Sequence, residues 1–204
     1  MIVRRFDVVT TDRLVMRRWR EADLEPFAEL NGDPETLAFF PATLSRAESD
    51  ALVDRTEAGF EERGYGLWAL EVAGTGEFIG FTGLAPMPAD IPGGPDGTEI
   101  GWRLARNAWH HGYATEAARA ALGVAFDGVG LREIWSYTSL RNAPSQAVMR
   151  RIGMTEPRAS RTRGCRTATR SSRTWPTTSR ARSGGRPRQT PGQITPTDGC
   201  CGTL

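Results

Sequence analysis

The chain contains no lysine, and all 26 of its basic residues are arginine. Its three cysteines all lie beyond residue 155, which excludes a disulfide framework or a thiolate metal site in residues 1–155. The only two histidines, His110 and His111, are adjacent, and neighbouring residues of a loop point apart. A histidine-based metal site would therefore lack ligands, and we predict no metal.

Long apolar runs are also absent. No stretch approaches the ~18 consecutive apolar residues of a membrane span, and the opening MIVRRFDVVTTDRL lacks the apolar core of a signal peptide. We therefore expect a cytoplasmic protein with no membrane partner.

The net charge of +2 conceals a split between two parts of the chain. Residues 1–155 carry 16 arginines against 22 acidic residues, whereas residues 156–204 carry 10 arginines against 2. The basic balance therefore describes no single folded surface, and we expect no nucleic-acid partner. A basic nucleic-acid-binding arm is the alternative for the second part, although its arginines are not interleaved with aromatic residues.

The apolar pattern of residues 10–154 predicts an α/β (α+β) protein. Its order is one strand, two helices, three strands, a helix, a strand and a helix. The alternation around Leu14 and Met16 predicts an edge strand, and Asp23 is expected to cap the first helix. Ser45 and Glu48 have the spacing of a capping box, which would begin the second helix.

The stretch NAWHHGYATEAARAAL, from Asn107, places a glycine turn before a helix. A helix N-terminus exposes backbone N–H groups and the positive end of the helix dipole, which suits an anion. Gly112 has no Cβ, so the backbone can approach a pyrophosphate closely. An ordinary strand–helix connection has the same pattern, and the two histidine rings are then solvent-facing.

Two longer segments, EIGWRLARNAWHHGYATEA and SLRNAPSQAVMRRIGM, together resemble the acetyl-coenzyme A site of the GNAT acetyltransferase superfamily. The similarity is to the branch of the ribosomal-protein-alanine N-acetyltransferases (RimJ/RimL-like) and runs from about Thr10 to Met154. Trp109 stands where the superfamily usually has Arg or Gln. The resemblance implies the GNAT acyl-coenzyme A N-acyltransferase fold, a mixed, mostly antiparallel sheet flanked by helices, in residues 1–155.

The resemblance also implies how acetyl-coenzyme A would bind. The fourth predicted strand would diverge from the fifth and offer its backbone to the pantetheine arm, while the turn would hold the pyrophosphate. The implied binding residues are Gly101, Trp102, Arg103, Leu104, Trp109, His110, His111, Gly112, Tyr113, Ala114, Thr115 and Asn142.

The implied reaction is direct attack of an amine on the thioester in a ternary complex, which needs no covalent nucleophile. Glu99 is the candidate general base, acting through water; a solvated strand-start carboxylate is its alternative. Ser145 is the candidate proton donor to the thiolate, and a cap of the last helix is its alternative. Backbone amides of the fourth strand would polarise the carbonyl.

The acceptor is expected to be a protein N-terminal amine, with a small-molecule amine, an antibiotic or polyamine, as alternative. A non-catalytic acyl-coenzyme A-binding module is the alternative from another class, and the protein is expected to be a monomer or a homodimer. Trp68, Trp102 and Trp135 are expected in the core or a pocket wall. The same two possibilities hold for Trp19, Phe39 and Phe40, which could line the acceptor pocket.

Residues 156–204 form an Arg/Ser/Thr/Pro-rich tail that departs from the family pattern. Back-translation of Ala159 to Ser179, read in the −1 frame with GC-rich wobble bases, yields FEDPRLPDGHPLVPHVAYHL, close to the family's segment at this place. We interpret the tail as a disordered frameshift product beginning near Arg158. The C-terminal strands would then be missing or replaced, and the fifth predicted strand would be left with an unpaired edge.

Overall fold

The computed structural model describes residues 6–89, 94 and 96–155 with their side chains, and residues 167–172 as backbone. The predicted order of elements is confirmed for residues 14–151, and so is the mixed sheet; one short strand before this range and one strand after it were not predicted. The strands are β1 (Val8–Thr10), β2 (Leu14–Arg17), β3 (Leu67–Val72), β4 (Phe78–Pro86), β5 (Thr98–Leu104), β6 (Glu133–Thr138) and β7 (Thr167–Ser172). They lie in chain order across one sheet, and each neighbouring pair is antiparallel except β5 and β6, which are parallel.

Four α-helices flank the sheet: α1 (Leu24–Gly32), α2 (Arg46–Arg63), α3 (Tyr113–Gly123) and α4 (Ala143–Arg151). The predicted capping box at α2 is confirmed. The Ser45 backbone N–H donates to Glu48 Oε2 at 2.7 Å, and the Glu48 N–H donates to Ser45 Oγ at 3.3 Å. A π-helical turn, Val124–Val129, continues α3.

Two core clusters cover the two faces of the sheet, because successive strand residues point to opposite faces. Leu67 and Phe81 pack with Phe27 of α1 and residues of α2, whereas Trp68 and Ile100 pack with α3 and α4. Trp68 is fully buried, and its indole N–H donates to the Phe6 carbonyl at 2.7 Å. Side chains therefore pack against both faces of β3, β4 and β5, and these three strands form the centre of the core.

Two sequence-based expectations about the first strand and helix are wrong. β2 is not an edge strand, because the three residues of β1 pair along it; so short a strand carries too little alternation to be recognised. Asp23 does not cap α1 with its side chain. Its carboxylate instead accepts from the Arg20 N–H at 2.8 Å and from both terminal nitrogens of Arg17, at 2.7 and 2.9 Å. A buried guanidinium needs such a partner.

The expected unpaired edge of the strand at residues 133–138 is also a wrong prediction. β7 pairs antiparallel along the whole of β6, from Glu133 opposite Ser172 to Thr138 opposite Thr167. Pairing of this kind uses main-chain groups and needs no particular side chains. The rest of the tail for which disorder was expected, residues 156–166 and 173–204, lies outside the described residues.

Candidate active site

The turn between β5 and α3 is exposed and has an unusual backbone. After Leu104 the chain makes a short 3-10 turn, Arg106–Ala108, and then an exposed turn, Trp109 to Gly112. Two residues of this turn have positive φ angles, 65° at His110 and 82° at Gly112. Glycine adopts such an angle freely, whereas a histidine is strained by about 1 kcal/mol or more. Strain of this kind persists where the surroundings hold the backbone in one conformation.

The N-terminus of α3 opens on this turn. The amides of Thr115 and Glu116 donate back to the Gly112 carbonyl, each at 3.1 Å. The amides just before them, those of Tyr113 and Ala114, are the first of the helix and have no backbone acceptor within the described chain. With the positive end of an 11-residue helix behind them, these groups suit an anion.

Trp109 ties the turn to the end of β5. Its indole N–H donates to the Leu104 carbonyl at 2.8 Å, while 38% of the residue remains exposed. The side chain therefore fixes where the turn begins.

Arg13 ties the turn to the sheet from the other side. Its Nη1 donates to the His111 carbonyl at 3.0 Å, and its Nε donates to Glu116 Oε2 at 2.7 Å. The guanidinium carbon lies 4.8 Å from the centre of the Tyr113 ring, on which the His111 ring is stacked at 5.4 Å. No local sequence pattern indicates Arg13, because 98 residues separate it from His111.

Glu116 is ionised at this corner. Partial burial would raise the pKa of its carboxyl, but hydrogen bonds from Thr11 and Arg13 outweigh that effect and hold the pKa below its ordinary value. The Thr11 hydroxyl donates at 2.6 Å and the Arg13 backbone N–H at 3.0 Å, both to Oε1. The Arg13 guanidinium balances the negative charge of this carboxylate, so Glu116 repels a second anion near the turn only weakly.

β5 and β6 diverge next to the turn. Their parallel pairing has a single register pair, Glu99 opposite Trp135, as the resemblance implies. Beyond it, no register pair joins the described parts of the two strands, which leaves a gap in the main-chain pairing on the β6-facing side of β5. Gly101 lies on this stretch, and a Cβ built there would meet no atom within 4 Å, so the sheet face is open above it. The unpaired side of β5 and this open space suit an extended ligand, and the turn follows the end of the same strand.

Of the remaining strand residues, Trp102 is half-buried and packs against the core, and Leu104 is buried. The Arg103 side chain is directed away, towards α1. It is buried, donates to Asn31 Oδ1, and lies 4.5 Å from the centre of the Phe40 ring. Burial lowers its pKa to about 10. Arg103 can thus serve a ligand in the gap through its backbone only.

Glu99 and Ser145, the two expected catalytic residues, have different surroundings. Glu99 is 2% exposed, so the alternative of a solvated surface carboxylate is wrong. At α4 the cap is Asn142, whose Oδ1 accepts from the Ser145 backbone N–H at 3.1 Å. The alternative that Ser145 caps α4 is therefore also wrong. Asn142 and Ser145 both lie at the start of this helix, and the sequence alone did not show which of the two side chains accepts the capping hydrogen bond. Among the described residues, the Ser145 hydroxyl and Asn142 Nδ2 have no hydrogen-bond partner.

The aromatic residues expected near an acceptor divide into two groups. Trp19 belongs to the core: its ring centre lies 4.6 Å from that of Phe27, and its indole N–H donates to the Leu67 carbonyl at 2.7 Å. Phe39 and Phe40 are exposed, by 42% and 38%, in the connection between α1 and α2. Of these three aromatic side chains, Phe39 and Phe40 are therefore the two that solvent reaches readily.

A groove of about 570 Å³ lies between α1 and the adjoining ends of β4 and β5. Ionic and polar pairs line it, among them Arg106 with Asp33 at 2.9 Å and Asn107 with Glu77 at 2.8 Å. It is separate from the gap between β5 and β6, and it lacks the exposed amides of the turn.

Two further properties concern the described part of the chain. No group of three or more His, Cys, Asp or Glu side chains there could hold a metal ion. Among the described helices, none combines the length and the apolar character needed to cross a bilayer.

Comparisons with known proteins agree with this geometry. The acetyltransferase (GNAT) domain model matches residues 13–155. The uncharacterized protein YkkB of Bacillus subtilis (strain 168) is 31% identical over 149 residues, which are 72% of this chain and 84% of that protein. The FsC-acetyl coenzyme A-N(2)-transacetylase of Aspergillus fumigatus is 33% identical over 133 residues, 62% of this chain and 56% of that enzyme.

A solved acetyltransferase from Agrobacterium tumefaciens str. C58 has the same fold. Its TM-score is 0.71 at 28% identity, and the match covers 80% of this chain and 93% of the other. The family match spans both the turn before α3 and the diverging strands. The chain therefore belongs to the GNAT acetyltransferase family and is an acyltransferase.

Proposed function

We propose that this acetyltransferase takes its acetyl group from acetyl-coenzyme A, bound in the gap beside β5, and transfers it to a primary amine. One observation carries the proposal: the exposed turn with left-handed Gly112, at the N-terminus of α3, lies at the end of that gap. The pyrophosphate would accept hydrogen bonds from the amides of residues 111–114, because the Thr115 amide, which the resemblance also implied, already donates to the Gly112 carbonyl. The pantetheine arm would lie along the backbone of residues 101–104.

The connection that follows β6 supports the same assignment, because the carboxyl ends of the parallel strands β5 and β6 lie at one edge of the sheet. Asn142, the N-cap of α4, lies in this connection and is nearly buried, with its Nδ2 group available. This amide can bind the pantetheine or the thioester end. The coenzyme supplies an activated acyl group, so no nucleophilic side chain is required.

Three groups of the chain would serve the chemistry. Glu99 would remove a proton from the acceptor amine through a water molecule, and the Ser145 hydroxyl would give a proton to the departing thiolate. Backbone N–H groups of β5 would stabilise the negative charge that develops on the carbonyl oxygen. The amine would attack directly, in a complex that holds both substrates.

A protein N-terminal amine is our first choice of acceptor, because the sequence resembles the branch that modifies ribosomal-protein N-termini. Exposed Phe39 and Phe40 are suited to contact apolar side chains of such a peptide. A small-molecule amine is the second choice. A non-catalytic acyl-coenzyme A-binding module would bind the coenzyme and show no thioester turnover with any amine.

We also propose that the tail is the product of a frameshift near Arg158, since GC-rich wobble bases would let the −1 frame encode a peptide close to the family's segment at this place. Resequencing of the gene tests this separately from the function. If neither shifted frame encodes the peptide, the frameshift is ruled out.

The binding proposal can be tested with two matched glycines. Gly112 and Gly130 have nearly the same φ, 82° and 83°, and a Cβ at either position has no close backbone contact. Replacing either by Ala imposes the same backbone strain, about 1–2 kcal/mol, but only Gly112 lies at the turn. Gly112→Ala should weaken coenzyme A binding about tenfold or more in a calorimetric titration, and Gly130→Ala should not.

The same titration on the unmodified full chain decides the proposal itself. No heat of binding for coenzyme A or acetyl-coenzyme A, in this chain and in a frame-restored protein, would contradict it. Turnover with peptide N-termini and polyamines would then rank the acceptors.

A further inference from the structure

Arg13 is the side chain that fixes the orientation of the turn. It directly precedes β2, outside the segments that form the turn, yet it contacts the His111 carbonyl, Glu116 and the Tyr113 ring together. We infer that Arg13 is a positioning residue for the pyrophosphate: it holds the His111–Gly112 peptide so that its N–H faces the ligand. This inference rests on the proposed binding of acetyl-coenzyme A.

One peptide group connects the Arg13 contact with the Gly112 amide. The His111 carbonyl and the Gly112 N–H belong to one planar trans peptide and point in opposite directions. Arg13 Nη1 holds the carbonyl oxygen at 3.0 Å, so the Gly112 N–H points away from this nitrogen. A flipped peptide would present a carbonyl oxygen to the phosphate and repel it.

Gly112 cannot hold this orientation by itself. A glycine adopts positive and negative φ with similar ease, so its observed φ of 82° is not fixed by its own sterics. The neighbouring contacts must therefore select it. Within the described chain, the bond from Arg13 is the side-chain contact made to this peptide.

The charge of Arg13 is already compensated. Its Nε and Nη2 lie 2.7 and 2.6 Å from Glu116 Oε2, and this carboxylate is fixed further by Thr11. An arginine whose charge is paired in this way adds little long-range attraction for a phosphate. Its effect on binding should come from the hydrogen bond to the carbonyl, which only a forked side chain can make while it keeps both contacts to Glu116.

The test uses the full chain and three variants, with Arg46→Ala as the matched control. Arg46 has the same side-chain exposure as Arg13, 49%, and likewise pairs with carboxylates, but it lies at the N-terminus of α2. Arg13→Ala should weaken coenzyme A binding about tenfold, measured by calorimetry, and Arg46→Ala should change it less than twofold. S-acetylpantetheine, which lacks the pyrophosphate, should bind Arg13→Ala and the unmodified chain equally.

Arg13→Lys separates orientation from charge. It keeps the charge but has one nitrogen in place of the fork, so we expect it to bind coenzyme A as weakly as Arg13→Ala. Unmodified affinity in Arg13→Lys would show that charge suffices and would overturn the inference. An equal loss for S-acetylpantetheine in Arg13→Ala would overturn it too, because that pattern indicates general damage.

An NMR measurement distinguishes loss of the peptide orientation from unfolding of the variant. In ¹⁵N-labelled protein, coenzyme A should shift the Gly112 amide resonance, and in folded Arg13→Lys this shift should be lost. A retained shift there contradicts the inference. If the unmodified chain itself binds no coenzyme A, the proposed function fails first, and the inference fails with it.

Discussion

The side-chain Oδ1 of Asn142 accepts a hydrogen bond from the backbone N–H of Ser145, so these two residues have separate tasks at the start of α4. The cap needs Asn142 and only the backbone of Ser145. The Ser145 hydroxyl can therefore be removed without removing the cap.

Ser145→Ala should thus spare stability and lower catalysis, whereas Asn142→Ala should lower stability. Ser145→Ala should leave the free energy of unfolding within about 0.5 kcal/mol and lower kcat about 100-fold, if the hydroxyl is the proton donor. Asn142→Ala should lower the free energy of unfolding by about 1 kcal/mol through loss of the cap. Urea unfolding and steady-state kinetics measure the two; full activity of Ser145→Ala would remove the serine from the mechanism.

Replacing the buried carboxylate of Glu99 tests the general base. Glu99→Gln should lower kcat/KM about 100-fold near neutral pH and abolish the rise of the rate that accompanies ionisation of the base. The measurement is a pH–rate profile. Glu133→Gln, on the adjacent strand β6, is the control and should keep the profile of the unmodified enzyme; an unchanged profile in Glu99→Gln would assign the base elsewhere.

The low pKa of Glu116 makes part of the protein's stability pH-dependent. Since the folded-state pKa lies below the unfolded value, about 4.3, this stabilisation is present above that value and is lost as the pH falls through the folded pKa. Glu116→Gln should therefore cost about 1 kcal/mol at pH 7 and progressively less below about pH 4. Urea unfolding at several pH values checks this; a difference that is constant with pH would contradict it.

The buried pair of Arg17 and Asp23 should contribute more to stability than an exposed pair. The two residues are 5% and 2% exposed, and hydrogen bonds, first of all from Arg17 to Asp23, raise the pKa of Arg17 further above its ordinary range. Asp23→Ala should lower the free energy of unfolding by about 3 kcal/mol, because it leaves a buried charge short of a partner. Asp50→Ala, at the exposed pair with Arg46, should lower it by less than about 1 kcal/mol.

The features that the sequence predicts correctly are local. Ser45 and Glu48 are three residues apart, and their capping box depends on nothing else in the chain. The exposed turn at Gly112 is equally local, because a glycine before an alanine-rich helix needs only its immediate neighbours.

The features that the sequence could not predict depend on contacts between distant segments. Arg13 bonds to His111, which is 98 residues away in the chain. The Asp23 carboxylate pairs with the buried guanidinium of Arg17 instead of capping α1. β1 has only three residues and is recognised by its pairing with β2, not by a sequence pattern of its own. Spacing within one segment gives no signal for any of these.

The single register pair between Glu99 and Trp135 also has a mechanical consequence. A sheet is stiff across its strands because main-chain hydrogen bonds join each strand to the next along its length. Between β5 and β6 this pairing is reduced to one register pair. Main-chain pairing therefore contributes little to joining β6 to β1–β5, and the core that Trp68 and Ile100 share with α3 and α4 holds the two parts together. A cosubstrate lying between β5 and β6 would add hydrogen bonds at this point and should raise the melting temperature of the whole domain.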